Sequence, residues 1–161
     1  MSSETNVILA LYPNSRGLGY ACVEMPQSLL DSGILTVRPV GNGPILERVR
    51  KFTSYFRPSV IVVRDAHPST SKRIVRLIAD IEAHAHEKGI PVFRYSRQQI
   101  RDVFETFGVT TKYEIAKKIV EWFSDLAFRA PKIRKPWMDE DYNMGIFDAL
   151  SLAITHQYLT E

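Results

Sequence analysis

The sequence predicts an α/β domain whose mixed sheet is antiparallel at its start, parallel at its end, and covered by helices on both faces. Three observations predict it. Three short β-type runs come first, with only turn-rich segments between them; an unbroken run of β-branched residues, Val60-Ile61-Val62-Val63, follows; and helical periodicity then alternates with strand. With 161 residues, 45% of them hydrophobic, the chain can build one core and one domain.

The first run, Asn6 to Tyr12, breaks at the turn residues Pro13-Asn14-Ser15, and the second, Leu18 to Glu24, leads through the connection PQSLLDS to a third, Gly33 to Arg38. These predict an antiparallel meander. Ile45, Val49, Phe52 and Phe56 recur at helical spacing, and Arg57-Pro58 stops that helix. Val60 to Val63 is apolar on both faces, as a central parallel strand requires. The next segment carries Ser/Thr caps, an apolar face of Ile74, Leu77, Ile78 and Ile81, and Gly89 as a stop before the strand Pro91 to Tyr95, which completes a βαβ unit. Helices are predicted over Gln98 to Phe107, Tyr113 to Ala127 and Tyr142 to Tyr158, the last after the basic loop RAPKIRKPWMDED. No repeat or low-complexity segment interrupts this order.

The 21 Lys and Arg outnumber the 18 Asp and Glu by only three, a balance that admits a nucleic-acid partner without demanding one. A single Cys22 excludes an internal disulfide and any multi-cysteine zinc site. The start MSSETNV has neither the basic flank nor the apolar core of a signal peptide, so a reducing, cytoplasmic setting is expected. No membrane partner is expected either, because no apolar run approaches the roughly 20 residues that cross a bilayer.

The glycines of PVGNGP lack the spacing of a phosphate loop and read as a plain turn. His84 and His86, two apart, point about 200° away from each other on a helix and read as surface residues. His67 reads as a turn cap before Pro68, and Cys22 as buried packing. Asp139, Glu140 and Asp141 precede the last helix and read as caps of its N-terminus, with Asp148 about 10.5 Å farther along the axis than Asp141. That separation is too long for one tight two-metal site, whose ions lie about 4 Å apart.

Taken together, ILALYPNSRGLGYACVE, IPVFRYSRQQIRDVFETFGVTTKYEIAKKIV and FDALSLAITH stand in the order and at the spacing of the RuvC-type Holliday junction resolvases. The chain resembles that family, part of the ribonuclease-H-like superfamily, over nearly its whole length. The resemblance implies a ribonuclease-H-like five-stranded sheet, with three antiparallel strands followed by two parallel ones. It also implies four acidic residues holding two Mg²⁺ ions for phosphodiester hydrolysis, and members that commonly act as homodimers. Matched one by one, the first ligand position is Tyr12, the second falls on Arg64 with Asp65 next door, and the pair on the final helix falls on Gly145 and Asp148. Only Asp148 keeps a ligand, so this resemblance implies a divergent member with a degraded active site.

The expected function is therefore a non-catalytic RuvC-like domain that binds nucleic acid or a protein partner, with no cofactor. Its expected nucleic-acid surface is Arg129, Lys132, Arg134, Lys135 and Trp137, where cations meet phosphates and an indole stacks. Further cations at Arg97, Arg101, Lys112, Lys117 and Lys118 read as the wet faces of helices. With no metal present, Arg64 is expected to pair with Asp148, the Tyr12 hydroxyl close by. Two alternatives stand beside this: a Mg²⁺-dependent endonuclease with a site rebuilt from Asp65, Asp148, Glu140 and Asp141, and a structural subunit of a larger assembly.

Overall fold

Strands β1 (Val7–Asn14), β2 (Gly17–Glu24) and β3 (Ser28–Thr36) form the antiparallel meander, and β4 (Val60–Arg64) and β5 (Val92–Tyr95) add to it in parallel, in the order β3-β2-β1-β4-β5. This is a computed structural model, and it describes residues 6–132, 138 and 140–160. The sheet is the mixed five-stranded one that the sequence predicts. Helices α1 (Asn42–Phe56), α2 (Lys72–Glu87), α3 (Arg97–Glu105), α4 (Lys112–Trp122) and α5 (Met144–Thr160) cover it.

Some boundaries differ from expectation for local reasons. Strand β3 starts inside the predicted connection, at Ser28, because an edge strand needs only backbone pairing and tolerates Asp31 and Ser32. The predicted turn PVGNGP instead supplies the first turn of α1, with Pro44 in a first-turn position where its missing N–H costs nothing. The helix predicted over Tyr113 to Ala127 ends at Trp122, and a 3-10 helix covers Ser124–Arg129. The Ser71 side chain caps α2, while Ser96/Gln99 and Thr111/Glu114 form capping boxes on α3 and α4.

Alternation along the strands sorts the core into two layers. Ile8, Ala10, Tyr12, Val60 and Val62 face α3, α4 and α5, whereas Leu9, Leu11, Ile61 and Val63 face α1 and α2. Helix α5 runs between the sheet and α3 and α4, so it is apolar nearly all round and buries almost every residue from Met144 to Ala153. That burial includes Asp148. No described helix is long and apolar enough to cross a membrane.

His84 lies in the α1–α2 layer, against the expectation of a surface residue: it is 4% exposed, with Nε2 3.0 Å from the Thr53 hydroxyl. Thr53 donates its own proton to the Val49 carbonyl, so the ring supplies the hydrogen of this contact. His86 is exposed as predicted. Burial lowers the His84 pKa, and the charges of Arg50 and Lys88 lower it further. The folded protein thus takes up this proton less readily than the unfolded chain. Stability is full above the unfolded value near 6.5 and falls as pH drops toward the depressed folded value. Thermal melts between neutral pH and about pH 5 are expected to lose at most about 1.4 kcal/mol per pH unit through this one group. His84→Gln should flatten that slope in part, leaving the contribution of His156, whose pKa burial also lowers.

Candidate functional site: a cation-filled carboxyl edge

Leu11 pairs with Val63 in the parallel register, which brings Tyr12 and Arg64 side by side at the carboxyl ends of β1 and β4. Because Val60 and Val62 face α5, Arg64 follows them on that face, and Asp65 falls on the other. The Arg64 guanidinium lies 5.0 Å from the Tyr12 ring centroid, a cation–π distance. It donates to the Pro13 carbonyl at 3.1 Å, to the Thr70 hydroxyl at 3.3 Å and to the Asp65 carbonyl at 3.3 Å.

Asp148 enters the same region from the first turns of α5, with its side chain only 4% exposed. Two cations meet it, one at each oxygen. Lys112 Nζ lies 3.3 Å from Oδ2, and Arg97 Nη1 lies 3.6 Å from Oδ1. Lys112 also reaches Glu140 Oε2 at 3.2 Å and stands 5.8 Å from the Tyr12 ring centroid. Burial works against the Lys112 charge, but Asp148, then Tyr12 and Glu140, outweigh it and hold its pKa above the ordinary lysine value. Burial pushes the Asp148 carboxyl up, opposed by Lys112 and Arg97.

The expected Arg64–Asp148 pair is therefore replaced. The two strand-end carbonyls and the Thr70 hydroxyl capture the guanidinium, while the first residue of α4 delivers Lys112 to the carboxylate. Lys112 and Arg97, expected on wet faces, are the residues that sequence reasoning missed. A signal for them exists. Both are the first residue of a helix, directly after the caps Ser96 and Thr111, where the helix dipole favours an anion and a cation needs a local reason.

Asp65 does not join Asp148: its carboxylate pairs with Arg94 at 3.3 Å, and Arg94 pairs in turn with Glu82 on α2, across the sheet. The rebuilt centre thus lacks the member it needs most. Asp141 Oδ1 accepts from the Asn143 amide at 2.9 Å and its carbonyl from the Met144 amide at 3.0 Å, so it shapes the turn into α5, as a capping role requires. The Glu140 carboxylate joins the site through Lys112; Asp139 lies outside the described residues. Gly145 packs on Gly19 and near the Asn14 amide. His67 closes its turn through Ser69, and Cys22 is fully buried, its thiol pushed up to about 12 by burial. Among the described residues no three His, Cys, Asp or Glu side chains converge as a metal site would need. One buried carboxylate flanked by an ammonium and a guanidinium does not fit a pair of Mg²⁺ ions, since both cations compete for the oxygens a metal would take.

The same edge carries two more arginines. Arg73 Nη2 donates to the Asn14 carbonyl at 2.7 Å, and Arg16 Nη2 donates to the Glu140 carbonyl at 3.3 Å. Of the expected nucleic-acid loop, Arg129 stacks 5.1 Å from the ring centroid of the exposed Phe128, and the Lys132 side chain is exposed. Arg134, Lys135 and Trp137 lie outside the described residues.

No family model and no curated protein matches the chain. Solved structures do. RuvC of T. thermophilus in complex with Holliday junction substrate superposes with a TM-score of 0.70 at 20% identity, over 96% of this chain and 94% of that one. The yeast mitochondrial Holliday junction resolvase gives 0.64 at 10% identity, over 92% of this chain and 76% of that one. The fowlpox virus Holliday junction resolvase gives 0.56 at 14% identity, over 95% and 99%. The chain has the ribonuclease-H-like fold of the RuvC-type Holliday junction resolvases.

Proposed function

We propose that the protein is a RuvC-like nucleic-acid-binding domain that engages branched or duplex DNA without metal-dependent cleavage. One observation carries this reading. At the edge where the resemblance places metal-holding carboxylates, the chain presents Arg64, Arg97 and Lys112, and among the described residues the carboxylates that meet Arg97 and Lys112 are those of Asp148 and Glu140. Helices α2 and α3 follow β4 and β5, and α4 follows α3; their first residues are the cations Lys72, Arg97 and Lys112, so amide dipoles and side chains add to a field of one sign. Such a field attracts phosphates, and it needs no divalent ion to do so. The solved relatives are Holliday junction resolvases, which makes a four-way junction the first ligand to test. Arg129, Lys132, Arg134, Lys135 and Trp137 form the second contact in this reading, and a homodimer provides a second copy of each surface.

The test is equilibrium binding of the full chain to a four-way junction and to duplex, across salt, in EDTA and in millimolar Mg²⁺. Binding is expected in EDTA, since it needs no divalent ion, and to be weaker in Mg²⁺, which competes for the phosphates, with no cleavage product in either. Neutralising Arg129 and Lys132 should lower the log–log salt slope by about 0.9 for each phosphate that the variant no longer neutralises. Mg²⁺-dependent cleavage that disappears in Asp148→Asn would establish the nuclease instead. Absence of binding at low salt overturns the reading.

A further inference from the structure

The misfit between this edge and a pair of Mg²⁺ ions has a specific form: one ammonium nitrogen sits between two carboxylates that come from different parts of the chain. Lys112 Nζ is 3.3 Å from Asp148 Oδ2, on a helix that is nearly all buried, and 3.2 Å from Glu140 Oε2, in the segment leading into that helix. The stem is anchored, because Lys112 is the first residue of α4 and the Thr111/Glu114 capping box fixes where that helix begins. The aromatic face of Tyr12 lies 5.8 Å from the same nitrogen. An ion held by oxygens from two elements over an aromatic floor is an arrangement for a cation, and here the cation is covalently part of the protein.

We infer that Lys112 is a tethered replacement for a divalent ion, and that Asp148 and Glu140 are a latent metal pair which it keeps closed. Asp148 Oδ2 and Glu140 Oε2 both face the same ammonium at hydrogen-bonding distance, so a divalent ion can take that place only by displacing it. Lys112 cannot leave far, since its backbone is pinned and Asp148 would remain buried with Arg97, at 3.6 Å, as its remaining counter-charge. Once the ammonium is gone, the two oxygens must close by about 1 Å each to reach the 2.0 to 2.6 Å of Mg²⁺ or Ca²⁺ ligation. Glu140 is half-exposed and able to make that movement, whereas Asp148 is held in place. Two carboxylates completed by water make a weak site, in the millimolar range, that favours an ion with loose geometry. Arg97, 3.6 Å from the other Asp148 oxygen, weakens the site further without filling it.

The experiment is thermal unfolding of the full chain against Mn²⁺ and Ca²⁺, with no nucleic acid present. Its outcome is therefore independent of whether the protein binds DNA. The wild-type midpoint is expected not to move. Lys112→Gln should show a saturable rise of about 2 to 4 °C at roughly fivefold excess over Kd, and Lys112→Gln/Arg97→Gln should show it at lower concentration. Lys112→Arg, which keeps the charge, should behave as wild type. Adding Asp148→Asn to Lys112→Gln should abolish the rise. If Lys112→Gln does not fold alone, its recovery on adding Mn²⁺ or Ca²⁺ is the supporting result. A wild-type protein that is itself stabilised by these ions overturns the inference, as does a Lys112→Gln chain that they neither stabilise nor rescue.

Discussion

Replacing Lys112 with methionine is expected to destabilise the fold by about 3 kcal/mol at neutral pH, because it strands the Asp148 charge in an almost fully buried site. Methionine fills much of the volume of the lysine stem, so a loss of packing contributes little to that figure. Full removal of a buried partner costs roughly 3 to 5 kcal/mol. The low end applies because Arg97 remains 3.6 Å from Asp148 and because Lys112 is itself one third exposed. The reciprocal change should be milder. Asp148→Asn removes the buried charge and leaves Lys112 with Glu140 and access to water, at a cost of about 1 kcal/mol. Burial raises the Asp148 pKa, so protonation favours the folded state, and in Lys112→Met that preference grows. The deficit of Lys112→Met should therefore narrow as pH falls below neutral, while that of Asp148→Asn should not. Chemical denaturation of both variants at two pH values measures this; equal deficits for the two substitutions would show that Asp148 is not buried against Lys112.

The contrast between the two variants also explains why the architecture was legible in the sequence and the site was not. Strand and helix order follow from patterns that local residues carry alone: Val60 to Val63 without alternation, Ile74, Leu77, Ile78 and Ile81 at helical spacing, turn residues between. His84 too is legible in principle, since it continues that apolar series three residues past Ile81 and so falls on the buried face. Asp148, Lys112, Arg97 and Glu140 are brought together by the packing of α3, α4 and α5, and no spacing in the chain encodes a contact between residues 36 apart. The resemblance leaves Arg64 and Asp65 both open for the inner face of β4; the strand puts Arg64 on the α5 side, where a long, five-donor side chain has closer acceptors at Pro13, Asp65 and Thr70. Parity along a strand determines the face; it does not determine the partner.

Gly145, which the sequence presents only as a missing ligand, has a second reason to lack a side chain, and it yields the other large effect. Helix α5 crosses β2 so closely that a Cβ on Gly19 would lie 2.1 Å from the Gly145 carbonyl oxygen and 2.4 Å from its carbon. Those are backbone atoms at the start of the central helix, and they can yield only if α5 moves off the sheet. Such a movement would loosen the layer formed by Ile146, Phe147 and Leu150, all essentially buried. Overpacking a core commonly costs about 1 to 3 kcal/mol, and a rigid backbone obstacle places Gly19→Ala at the top of that range or above it, at about 3 kcal/mol or more. Gly145→Ala is the control from the other side of the same contact. Its Cβ would meet Ile34 Cδ1 at 3.0 Å, the end of a side chain that can rotate, Asn14 Nδ2 at 3.3 Å, where a shift of a few tenths of an ångström suffices, and Gly19 Cα at an ordinary 3.4 Å, and alanine gains some helix propensity over glycine. The net cost should be no more than about 1 kcal/mol. Urea unfolding of the two single variants decides the matter, with Gly19→Ala expected to lose at least twice the stability that Gly145→Ala loses. Comparable losses, or a fully stable Gly19→Ala, would mean that α5 does not lie against β2 at this distance, and the placement of Asp148 at the carboxyl edge would fail with it.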